Sequence, residues 1–99
     1  EFAANQADKA AAKAKDAARQ ADAAARFQAR SDAFQLALKL AQDCAKRDMM
    51  AAGSSEERAS RMAAAVMADQ DAIMDNLHGL QMCPKFAAAW SAFNSTPEV

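Results

Sequence analysis

Between residues 3 and 26 every apolar side chain is an alanine, and from Phe27 onward large apolar residues arrive at helical spacing. Phe27, Phe34, Leu38, Ala41, Ala45 and Met49 fall on one stripe of a helix. No glycine or proline interrupts residues 3–52. The pattern therefore predicts one helix about 75 Å long at ~1.5 Å per residue. The stretch "AAGSSEER" (51–58) marks its end. Gly53 suits the left-handed residue that closes a helix. Ser54 and Glu57 have the spacing of a capping box, which places the next helix start near Ser55. Beyond it, Ala59, Ala63, Val66, Gln70, Ile73, Leu77 and Leu80 repeat at alternating spacings of four and three. That rhythm predicts a second helix over about 55–78. "HGLQMCPK" (78–85) is the next break, with Gly79 as a stop and Pro84 as a first-turn residue. A short third helix is then expected over 84–93, carrying Phe86, Trp90 and Phe93 at spacings of four and three.

A short connection makes the first two helices antiparallel neighbours. Folding about the turn sets Ala45 near Met62, Ala41 near Val66 and Phe34 near Ile73, with Phe27 and Leu77 at the open end. The first helix has a second apolar flank: Ala33, Leu36, Ala37, Leu40 and Cys44. Helix 3 is expected to be too short and too far along to cover it, so another copy or a partner is expected there. Helix 3 itself has two readings. It folds back to plug the hairpin near Phe27 and Phe34, or it offers its aromatic stripe to a partner groove.

The alanine stretch has its own periodicity. Ala3, Ala7, Ala10, Ala14, Ala17, Ala21 and Ala24 form a seam spaced four and three, and Ala4, Ala11, Ala18 and Ala25 recur beside it every seven residues. No charged residue interrupts the seam. Asp22 stands four before Arg26, the favourable order for an ion pair along a helix. The pattern fits a close-packed alanine coiled coil, with a lone solvated helical rod or a disordered leader as the alternative readings. Each methyl contributes little, roughly 0.5–1 kcal/mol by area, so association through this face is expected to be reversible. The texture resembles that of bacterial murein-lipoprotein coils. Without a leading cysteine for lipid or a terminal lysine, nothing of that family's function carries over.

Composition agrees with an all-α class. Val66, Ile73, Thr96 and Val99 are the only β-branched residues, and there is no tyrosine, whereas a sheet needs such residues. The net charge of −1 points to no partner by itself. Residues 1–31 carry six basic and four acidic side chains and residues 53–99 three and six, too slight a tilt for a nucleic-acid footprint. No apolar run reaches the ~20 residues that span a bilayer, and no signal-peptide core is visible. Glu1-Phe2 matches the dipeptide encoded by a common restriction site.

Candidate chemistry is sparse. Asp71, Asp75 and His78 fall on one face of the expected second helix at i, i+4 and i+7, a metal-ligand spacing that Asp32 could approach only from the polar arc of the first helix. It is one copy of a pattern that di-iron bundles use twice with further carboxylates, so no metal or cofactor is expected. A disulfide between Cys44 and Cys83 is not expected. The hairpin register separates them by roughly 25–30 Å, against a Cα separation of ~4.4–6.8 Å for a bridge. Cys44 reads as a small core residue, with Cys83 left for an intermolecular bond. Neither cysteine has an oriented base for catalysis. The six methionines read first as plastic core filler; the alternative is an adaptable groove, with Met67 and Met74 as its candidates, and Gln70 in the core stripe is a candidate register-setting polar residue.

The sequence thus predicts an all-α protein: an alanine-rich arm over 1–26, a helical hairpin with a short third helix over 27–94, and a flexible tail over 95–99. The expected function is non-enzymatic, a structural or protein-interaction module that self-associates or docks on a larger assembly. The candidate contacts are Ala7, Ala10, Ala14, Ala17, Ala21 and Ala24, the Leu36/Leu40 flank, and Phe86, Trp90 and Phe93. The alternatives are a ligand- or metal-binding bundle using Asp75 and His78, and a membrane-surface or nucleic-acid-binding helix using Lys9, Lys13, Lys15 and Arg19.

Overall fold

The computed structural model describes residues 2–97, with side chains from Ala7 to Pro97. Ala3 and Ala4 of the seam, the Glu1-Phe2 pair, and Glu98 and Val99 of the expected tail lie outside the described side chains. The described chain is all helical: α1 (Phe2–Ala51), α2 (Glu56–Val66), α3 (Gln70–Asp75), α4 (Leu77–Leu80) and α5 (Pro84–Ser95). Its longest dimension is 78 Å, close to the rise of a straight 50-residue helix. The radius of gyration, 21.3 Å, far exceeds the ~13 Å of a compact chain of this size. The four short helices fold back over the C-terminal half of α1 and leave its N-terminal half projecting.

The first turn follows from its residues. Gly53 takes φ = 108°. The Gly53 and Ser54 amides donate to the Met50 and Met49 carbonyls, both at 3.0 Å, the two-bond pattern of a helix closed by a left-handed residue. The cap of α2 is Ser55, one residue later than expected, and its hydroxyl accepts from the Arg58 amide at 3.3 Å. Glu56 and Glu57 occupy the first turn, where the helix dipole favours them.

The expected second helix is three pieces. The chain leaves helical geometry at Met67, and Asp69 starts a new helix by accepting the Ala72 amide at 2.9 Å. Gln42 on α1 holds the break in place by donating to the Met67 carbonyl at 2.9 Å. Because α2 ends at Val66, its buried line is Ala59, Ala63 and Met67, while Met62 and Val66 stay 42% exposed. Met62 and Val66, expected near Ala45 and Ala41, are thus open to solvent. Gln70 is exposed and sets no register from within the core. Met67 is buried and Met74 exposed, so the two do not form a groove.

The break reverses the chain. α2 descends along α1 from the turn to the level of Gln42. By Gln70 the chain has reached Phe34, beside which a small cleft opens. α3 and α4 climb back, and Leu80 reaches the level of Cys44 and Ala45. There Cys83 is bonded to Cys44, with a Cα separation of 6.3 Å. The expectation that the cysteines lie far apart is overturned. It rested on a straight helix to residue 78, and the reversal at 67–69 removes the distance. From the bridge α5 descends again and ends beside Arg30, whose Nη1 donates to the Thr96 carbonyl at 3.0 Å.

The core lies between α1 and this cap. Ala37, Ala41, Ala59, Ile73 and Phe86 are fully buried. Alanine on both α1 and α2 allows close helix approach, and the volume is filled by the aromatics of α5. Phe34 and Phe93 have centroids 5.4 Å apart, Trp90 and Phe93 5.4 Å, and Phe86 and Trp90 5.8 Å. The Arg30 guanidinium sits 4.5 Å over the Phe93 ring. Ser95 and Thr96, expected in a loose tail, are held: Ser95 ends α5, and both hydroxyls donate back one turn, to Ser91 and Ala92 carbonyls.

Candidate interaction surface

The projecting half of α1 is held up by its own backbone. Residues 7–29 are exposed except for half-buried Ala23. Alanine, lysine, arginine and glutamine supply high helix propensity here, and ion pairing adds a little. Arg26 and Asp22 approach to 3.5 Å with both side chains largely solvated, so the pair contributes only a few tenths of a kcal/mol (~0.3–0.5). Gln28 donates to Asp32 at 2.8 Å one turn further on.

Ala7, Ala10, Ala14, Ala17, Ala21 and Ala24 are all exposed. At ~100° per residue their line lies on roughly the opposite side of α1 from Ala37 and Ala41, which contact the cap. The charged side chains Lys9, Lys13, Lys15 and Arg19 alternate with Asp8, Asp16 and Asp22 around the rest of the arm and are exposed. This mixture leaves no single-sign face for an anionic surface. Among the described residues no helix is long and apolar enough to cross a membrane.

The second flank of α1 divides. Ala37 and Cys44 are buried, and Ala33 and Leu40 pack against the core. The cover is α5, brought there by the bridge, and not a partner. Leu36 alone stays open, at 52% exposure. It lies eleven residues, about three helical turns, beyond Ala25, and so extends the alanine side of the helix. Phe27 is 64% exposed at the edge of the cap.

The aromatic stripe of α5 turns inward. Phe86, Trp90 and Phe93 are 0%, 8% and 3% exposed, so the fold-back reading of this helix describes the structure and the partner anchor does not. Asp71, Asp75 and His78 are exposed. Asp75 ends α3, and Asn76 lies between it and His78 in α4, so the three no longer share one continuous helix face. Among the described residues no group of three or more His, Cys, Asp or Glu side chains is placed to hold a metal ion.

Hydrophobic periodicity alone carries no sign of the bridge. The signal that could have located it is Asp69, a good cap residue followed by Asp71 in the next first turn. Comparison with known protein families, with characterised proteins and with solved structures finds no match to this chain.

Proposed function

We propose that this protein is a non-enzymatic interaction module, in which a small disulfide-tied cap anchors one end of α1 and the alanine face of the arm makes the contact. The contact is with a second copy of the chain or with a larger assembly. The hairpin-like cap is the anchoring part in this reading and the arm the working part. The observation that supports it is the exposure of residues 7–29 together with an uncharged alanine line along them. A solvated rod has no need of an uninterrupted line, whereas two helices packing closely do.

The line also gives the test. Glutamate at Ala14 and Ala21 puts charge into the contact, while glutamate at Ala12 lies about 200° around the helix from Ala14. Alanine and glutamate are both good helix formers, so helix propensity changes little in either variant. The double variant is expected to weaken association at least about tenfold, the equivalent of ~1.4 kcal/mol, and Ala12→Glu to leave it near the native value. Sedimentation equilibrium reads both. Equal association of the two variants would remove the seam as the contact.

A further inference from the structure

The bridge that closes the cap lies at the wall of a cleft of about 370 Å³, within the ~300–1,000 Å³ range of small-ligand pockets. Leu40, Phe86 and Pro84 give this cleft an apolar wall, and Asp43, Arg47 and Lys85 stand around it. The three charged side chains are exposed. The two residues differ in exposure: Cys44 is 3% exposed, whereas Cys83 is half-buried. Cys83 is also the residue preceding the first turn of α5 and makes no side-chain capping bond there. The positive end of a 12-residue helix therefore lies at Cys83, and Arg47, Lys85 and Asp43 line the same cleft.

Disulfides open by attack of a thiolate, an anion, on one sulfur. Here the more exposed cysteine is Cys83; the helix terminus beside it, Arg47 and Lys85 favour an anionic attacker, and Asp43 offers a partner for an amino group. We propose that Cys83 is a thiol–disulfide exchange site for a small anionic thiol, of the class of short cysteine peptides bearing free carboxylates and an amine. The thiolate attacks Cys83 Sγ, and the bond to Cys44 Sγ breaks. Cys44 leaves as a thiolate and takes a proton from water, and Cys83 carries the mixed disulfide. One disulfide replaces another, so no further oxidant or reductant enters this step. The exchange cuts the covalent tie between α1 and the start of α5.

Reduced glutathione is the probe, with cysteamine as its cationic counterpart at matched thiolate concentration. Mass spectrometry follows the loss of the bridge and peptide mapping places the adduct. The proposal requires the adduct on Cys83. It also requires glutathione to react about tenfold faster than cysteamine, at the lower end of electrostatic steering, with the ratio falling as salt is raised. Charge reversal by Arg47→Glu with Lys85→Glu is expected to bring the ratio to about one or below; both positions are on the surface, outside the core. An adduct on Cys44, equal rates for the two thiols, or a ratio untouched by charge reversal each overturns the proposal.

Discussion

Replacing Cys44 and Cys83 together by alanine is expected to lower the stability of the cap by about 3–4 kcal/mol. The bridge closes a segment of 39 residues, and loops between ~15 and ~100 residues release roughly 3–4.7 kcal/mol of chain entropy when cut. Few other forces are available. The core of the cap is small, and much of its α1–α2 contact is alanine on alanine, which buries little area per residue. Domains of this size often need such a tie. Trp90, the only tryptophan and 8% exposed, reports the change by fluorescence during urea unfolding. Far-UV circular dichroism is a poorer probe, because the arm contributes helix signal whether or not the cap is folded. A loss below about 1 kcal/mol would show that the cap does not depend on the bridge.

The second large effect is at Phe86. Its side chain is fully buried, stacks on Trp90 at 5.8 Å, and follows Cys83 by three residues. Phe86→Ala removes the ring and leaves a cavity between α5 and α1, an expected cost of about 3–5 kcal/mol. Leu36→Ala, at a side chain 52% exposed, is expected to cost under about 0.5 kcal/mol in the same assay. The Phe86 and cysteine substitutions act on one short segment, so their costs should add to less than the sum when combined. Comparable losses at Phe86 and Leu36 would contradict the placement of α5.

These two predictions rest on features of unequal visibility in the sequence. The long first helix was readable because nothing between residues 3 and 52 can stop it, and Gly53 and Pro84 marked a helix end and a helix start by backbone chemistry alone. The break after Val66 was not readable from periodicity, since Val66, Gln70 and Ile73 continue the spacing of Ala59 and Ala63 straight across it. Only the capping carboxylate of Asp69 distinguishes a turn from a continuous helix there, and neither glycine nor proline accompanies it. That one turn has the larger consequences. It decides where Cys83 lies, and through Cys83 which helix covers Ala33, Ala37 and Leu40. The alanine line, by contrast, was legible as a pattern, because its residues answer to no other part of the chain.

The central claim is that this line is a contact surface. It is tested most directly by the solution mass of the whole chain across a wide concentration range, beside the same chain lacking residues 1–25. The shortened form keeps the bridge, the cap and every fully buried residue. The account predicts that the mass of the whole chain rises reversibly above the monomer with concentration, while the shortened chain stays monomeric. A whole chain that remains monomeric throughout, or a shortened chain that associates equally well, would contradict self-association through the alanine face.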